Sequence, residues 1–117
     1  MASLDMKGPY DFEAKTIDAQ ITKTSPGNYA LGHLDKDGDF IPKYVGRADD
    51  DLNGRLKAHV GEKYKKFKYS YADSEKVAFE KECVNYHDFE KQLDNKIHPD
   101  RPEGKEYKCP KCRNFDK

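Results

Sequence analysis

The sequence predicts an α+β fold of the α/β sandwich type. A small three-stranded sheet is flanked by helices in the order strand, strand, helix, strand, helix. Three observations carry this expectation. An Asp37-Gly38 pair lies between two runs of strand-forming residues, which is a hairpin signal. Leu52, Leu56 and Val60 recur at a spacing that places them on one side of a helix. Phe79, Cys83, Tyr86, Phe89 and Leu93 share one face of a second, longer helix at about 100° per residue.

Residues 1–24 are polar and mixed, and read as an N-terminal extension with a short helix from Phe12 to Ile21. Ser25-Pro26-Gly27 is turn chemistry, and Asn28 to Leu34 reads as the first strand. The next segment, Asp35-Lys36-Asp37-Gly38-Asp39, resembles the opening of an EF-hand calcium loop. Such a loop requires glycine at its sixth position and a bidentate glutamate at its twelfth. Phe40 and Gly46 occupy those places, so the segment is read as the hairpin turn. Phe40 to Arg47 is the second strand, and Pro42 within it implies an edge position or a bulge. Asp49, Asp50 and Asp51 suit a helix N-terminus, and Gly61 is a stop for the helix of Leu52, Leu56 and Val60. Phe67 to Tyr71 is the third strand. Asp73 or Ser74 then caps a helix running to about Leu93. From Asn95 onward Pro99, Pro102, Gly104 and Pro110 make the chain loop-like.

The chain has 117 residues, enough for one ordinary domain. Hydrophobic residues are 35% and charged residues 38%, so eight Tyr and six Phe must supply much of a small core. That aromatic content argues against disorder. The formal net charge is zero, so the total does not itself indicate nucleic acid. Locally, Lys57, Lys63, Lys65, Lys66 and Lys68 are interleaved with His59, Tyr64, Phe67 and Tyr69. This stretch suits a phosphate backbone, or equally a solvated lysine face. No apolar run of about 18 residues is present, so no transmembrane helix and no membrane association is expected. The N-terminus lacks the apolar core of a secretory signal. An odd cysteine count, Cys83, Cys109 and Cys112, fits a reducing cytoplasm where thiols bind metal or stay unpaired.

Glu82 falls inside the apolar arc of the long helix, whereas Glu80 points the other way. A carboxylate on a core-facing stripe is costly unless it is paired, hydrogen-bonded or bound to metal. It is read as a functional group, as half of a buried salt bridge, or as a residue that a rotated helix brings to the rim. Arg55 and His59 are four apart and share a helix face beside the apolar stripe. They suit a cleft, with arginine for a phosphate and histidine for a proton, or else a plain solvent-facing pair. Tyr29 and Tyr44 stand on facing strands and suit one face of the sheet, an arrangement that half-buried sheet tyrosines also adopt.

Taken together these residues resemble the GIY-YIG nuclease family. Gly27-Asn28-Tyr29-Ala30-Leu31-Gly32 resembles its first motif, with Asn28 for the middle isoleucine. Tyr44-Val45-Gly46-Arg47 resembles the second, with Val45 for isoleucine. Asp51 to His59 resembles the family helix that carries arginine and, four residues on, histidine. Ala78 to Glu82 resembles the helix presenting a metal-binding glutamate, and Asn95 falls where a late asparagine is expected. The resemblance covers about residues 24–98 and implies a nuclease-like domain over 25–98. The Asn28 side chain is expected to face away from Tyr29.

The resemblance implies a metal-dependent endonuclease acting on DNA. Glu82 would hold one Mg²⁺ (or Mn²⁺), Tyr29 would serve as general base or position the water, and Tyr44 would bond near that water. Arg55 would stabilise charge on the phosphorane, His59 would assist proton transfer, and Asn95 would orient a backbone contact. Lys43, Arg47 and Lys57 are expected to contact substrate. Tyrosine is a poor base at its free pKa near 10, so Arg55 and the metal would have to lower it. A non-catalytic nucleic-acid-binding or protein-interaction module on the same fold is the alternative. A protein partner or a homodimer is expected to supply target choice.

Cys109-Pro110-Lys111-Cys112 is a CxxC knuckle, and Cys83 and His87 are four apart on the long helix. These are zinc-ligand types at zinc-ligand spacings. His98 could replace His87, the CxxC could be a redox pair, or the thiols could be unligated. The zinc reading makes the site structural and docks residues 99–117 on the helix of Glu82. A similar N-x-x-H-P segment and terminal CP-x-C occur in some GIY-YIG relatives, and Asn95-Lys96-Ile97-His98-Pro99 fits that picture.

Overall fold

A computed structural model describes residues 6–89 and 93–94. The elements are β1 (Lys7–Asp11), α1 (Ala14–Gln20), β2 (Gly27–Leu34), β3 (Phe40–Ala48), α2 (Leu52–Lys57), β4 (Lys66–Tyr71) and α3 (Glu75–Phe89). The strands form one antiparallel sheet in the order β1-β4-β2-β3. The α+β class is as expected, but the sheet has four strands rather than three. The added strand, β1, and helix α1 both lie in the segment read as an extension. Gly8-Pro9 punctuates β1 and disguises it as a turn. Proline is tolerated there because β1 is an edge strand whose register shifts between Lys7 and Tyr10.

Alternation along the strands sends side chains into two layers. Tyr29 and Leu31 of β2, Ala48 of β3, and Phe67 and Tyr69 of β4 pack against Ile17 and Ile21 from the α1 region and Leu52 and Leu56 of α2. On the opposite face Ala30 and Val45 meet Tyr86, Phe89 and Leu93, with α3 covering the sheet. Asn28 faces this second layer, away from Tyr29, and its amide donates to the Ala78 carbonyl at 2.8 Å.

The hairpin turn uses its aspartates locally. The Asp35 carboxylate accepts from the Asp37 and Asp39 amides at 2.8 and 3.0 Å, and Gly38 takes a positive φ of 86°. Pro42 meets both expectations made for it. It lies on the outer strand β3, and the β2–β3 register jumps there, with Gly32 opposite Pro42 but Leu31 opposite Tyr44. Lys43 is the extra residue of this bulge.

Asp51 caps α2 by accepting from the Gly54 amide at 3.3 Å. The helix ends earlier than the apolar spacing suggests. His59 N–H bonds to Leu56 and Val60 N–H to Lys57, so residues 58–60 form a tighter turn. Val60 is therefore 39% exposed and off the expected stripe, and His59 lies beyond the helix rather than on it. Gly61 closes the turn at φ 102°. Ser74 caps α3 by accepting from the Val77 amide at 3.2 Å. Among the described residues no helix is long and apolar enough to cross a membrane.

Ile17 tests whether the N-terminal segment belongs to the core. It is fully buried, so Ile17→Ala is expected to lower unfolding free energy by about 2–4 kcal/mol in urea denaturation. A change below about 0.5 kcal/mol, typical of a surface site, would contradict this packing.

Candidate active site at the outer sheet edge

Tyr29 is 1% exposed, yet its hydroxyl reaches the rim of the sheet. Its partner across the hairpin is Gly46. A β-carbon at that position would lie 2.4 Å from both Cζ and the hydroxyl oxygen of Tyr29, so the ring crosses β3 through space that only glycine leaves open. Beyond β3 the hydroxyl meets His59 Nε2 at 2.9 Å. The His59 Nδ1 in turn lies 3.1 Å from Glu62. Tyr44 stacks beside Tyr29 with centroids 6.4 Å apart, and its ring is 5.4 Å from that of His59. The Arg55 guanidinium, from α2, is near enough to the Tyr29 hydroxyl for its charge to favour the phenolate.

Glu82 approaches the same edge from the other layer. It is 8% exposed, as its place on the apolar arc suggested. Its Oε1 accepts from Arg47 Nη1 at 2.6 Å, while Arg47 Nε donates to Asp49 at 2.8 Å. The guanidinium also lies 5.2 Å from the centroid of the Phe79 ring. Burial pushes the Glu82 carboxyl up to about 7, against the pull of Arg47. Its charge is felt by Tyr29, Tyr44 and Arg55. Tyr29, Tyr44, Arg55, His59 and Glu82 thus gather at one edge.

Two expectations change. Arg55 does favour the Tyr29 phenolate, but burial outweighs it and raises the Tyr29 pKa, with Tyr44 adding to the rise. Tyr29 is therefore a neutral phenol rather than a phenolate. Tyr44 is raised as well, first by burial and then by Glu82. The expected substrate contacts are also partly engaged within the chain. Arg47 is held by Glu82 and Asp49, and Lys57 pairs with Asp18 at 2.6 Å. Lys43 carries the bulge, and its carbonyl accepts from the Asp94 amide. Of the lysine stretch, Lys63 pairs with Asp94 at 3.0 Å, Lys66 pairs with Asp11, and Lys68 lies over the Phe40 ring. The exposed pairs among these are weak.

Cys83 is fully buried on α3, and His87 is half-buried on the same helix. Asn95, His98, Cys109 and Cys112 lie outside the described residues. Among the described residues no three His, Cys, Asp or Glu side chains cluster as a metal site. The sequence reading missed Glu62, whose only signal is its place three residues after His59. Tyr64, expected only as an aromatic of the lysine stretch, donates to Asp94 at 2.8 Å and packs against Tyr44.

Comparison with family models, with curated proteins and with solved structures finds no match to this chain.

The raised Glu82 pKa fixes a pH dependence. An unfolded glutamate titrates near 4.5 and the folded one near 7. Between those values the native state binds more protons, so the Glu82 contribution is most favourable below pH 4.5 and is lost as pH rises to 7. In chelator-treated protein, the stability of the wild type relative to Glu82→Gln is expected to fall by about 2–3 kcal/mol over that interval. Urea titrations at a series of pH values measure it, and a flat difference would refute the assignment.

Proposed function

We propose that this chain is a metal-dependent endonuclease that hydrolyses DNA phosphodiester bonds in the GIY-YIG manner. What supports the reading is the meeting of Tyr29, Tyr44, Arg55, His59 and Glu82 at one sheet edge, although they come from both layers and are far apart in sequence. Arg55 beside the Tyr29 hydroxyl suits the equatorial charge of a phosphoryl transition state. The Tyr29 hydroxyl meets His59 and feels the Arg55 charge, so its oxygen can take a proton from a water as its own proton passes to His59 Nε2. That exchange removes the need for a free phenolate, which burial disfavours.

Glu82 fits a hard divalent cation. Its carboxylate is desolvated and incompletely compensated by Arg47, as its raised pKa records. Mg²⁺ or Mn²⁺ held there would stabilise charge on the phosphate and its leaving oxygen. Asn95, in the family picture, adds a backbone contact. The lysines and Arg47 offer phosphate contacts once their internal pairs open, and a protein partner or homodimer would supply target choice. Cys83, His87, Cys109 and Cys112, with His98 as substitute for His87, would form a structural zinc site pinning residues 99–117 to α3. A cytoplasmic location suits reduced thiols.

One observation favours a second reading. The Arg47–Glu82 pair is short, and both side chains are nearly buried, as in a structural salt bridge of a non-catalytic nucleic-acid-binding module. Supercoiled plasmid with Mg²⁺ separates the two. Wild type is expected to nick it, with a loss of roughly 10²-fold or more in Glu82→Ala and in Arg55→Ala. Equal nicking by all three proteins, or none by any under varied metal and salt, would sink the nuclease reading.

Zinc is tested by metal analysis. Protein purified without added metal is expected to carry about one zinc ion per chain. Full retention after Cys109→Ser with Cys112→Ser would rule out this ligand set.

A further inference from the structure

We infer that Glu62 is a positioning residue, whose carboxylate holds a proton on His59 Nδ1 and so presents Nε2 to Tyr29 as the proton acceptor. The inference rests on the nuclease reading for the use made of that proton.

The geometry sets the direction of both hydrogen bonds. His59 Nδ1 lies 3.2 and 3.1 Å from the two Glu62 oxygens. An ionised carboxylate only accepts, so Nδ1 must carry hydrogen. A neutral imidazole has one ring hydrogen, which leaves a lone pair on Nε2. The Tyr29 hydroxyl, 2.9 Å away, therefore donates to it. Imidazole without such a partner prefers its hydrogen on Nε2, and would then donate to Tyr29 instead. Glu62 thus decides which way the Tyr29–His59 proton can move.

The turn after α2 builds this pair. Glu62 N–H bonds to the His59 carbonyl at 3.1 Å, which brings the two side chains to one side of the turn. The imidazole lies against both the Tyr29 and Tyr44 rings, at 5.5 and 5.4 Å, and its side chain is 15% exposed. Among the described residues, the titratable and charged groups facing it are Tyr29 from β2, Tyr44 from β3, Glu62 from its own turn, and Arg55 of α2 beside the Tyr29 hydroxyl. The Glu82 charge reaches both tyrosines from α3.

The proton account balances. A water O–H bond breaks as a new O–H bond forms on Tyr29. The original Tyr29 O–H bond breaks as N–H forms on His59 Nε2. The resulting imidazolium faces the Glu62 carboxylate, which stays ionised throughout, as the orienting carboxylate of a hydrolase triad does. The Glu62 side chain is 49% exposed, so water moderates its influence.

Nitrogen-15 NMR of the His59 ring in metal-free protein tests this directly. The neutral wild-type ring is expected to carry its hydrogen on Nδ1. Glu62→Ala is expected to move it to Nε2, whereas Glu62→Gln keeps an acceptor and retains Nδ1–H. A wild-type ring protonated on Nε2, or a Glu62→Ala ring identical to wild type, overturns the inference. In plasmid nicking, Glu62→Ala is expected to lose about tenfold in rate with a changed pH profile, and Glu62→Gln to recover part of it. An unchanged rate and profile in Glu62→Ala also overturns it. Wild-type protein that fails to nick sinks the nuclease reading alone, because the tautomer measurement needs no substrate.

Discussion

The ring of Tyr29 passes over a stretch of β3 that has no side chain, and the arrangement at the edge follows from that passage. Gly46 stands opposite Tyr29 only because the hairpin contains a bulge. Counting back from the turn, Leu34 faces Phe40, His33 faces Ile41 and Gly32 faces Pro42. Were that one-to-one count continued, with Lys43 opposite Leu31 instead of bulged out, Tyr29 would face Val45, whose side chain serves the other layer. With it, Tyr29 meets glycine, crosses the strand, and brings its hydroxyl to His59 and Arg55. The Asp35 turn anchors that count from one end. A turn of aspartates therefore sets the register on which the proposed chemistry relies.

The second layer contributes the carboxylate. Asn28, next to Tyr29 on β2, points the opposite way and ties α3 to the sheet through the Ala78 carbonyl. One turn further along α3, Glu82 meets Arg47. Neighbouring residues on two strands thus serve both faces: Tyr29 and Asn28 on β2, Gly46 and Arg47 on β3. Because β3 is outermost, groups from the two faces can meet around its rim rather than being separated by the sheet. The buried acid and the buried phenol share a resistance to ionisation with one cause, loss of water.

Local signals foretold local features. The Asp-Gly turn, the edge position and bulge at Pro42 and the burial of Glu82 could all be read from residue type and spacing, since each depends on near neighbours. Features that depend on distant partners could not. β1 is polar and interrupted by Gly8-Pro9, and it becomes a strand only because β4 offers it a ladder. The pairings of Lys57 with Asp18, Lys63 with Asp94 and Lys66 with Asp11 join residues that no periodicity connects. His59 was placed on a helix by its spacing from Arg55, but tighter bonds after Lys57 turned it toward Tyr29. Glu62 was invisible for the same reason, since its role follows from that turn.

Both rims of the sheet carry a proline and a break in register: Pro9 with the shift in β1, and Pro42 with the bulge in β3. A foreign strand seeking to extend the ladder would find amide hydrogens missing and spacing uneven on either side. On the β3 side the Lys43 carbonyl is already taken by Asp94. Such rims discourage neighbouring molecules from joining sheet to sheet, the common route to amyloid-like stacking. The irregularity that admits Tyr29 to the edge of β3 thus also protects a domain with a small core from its own copies.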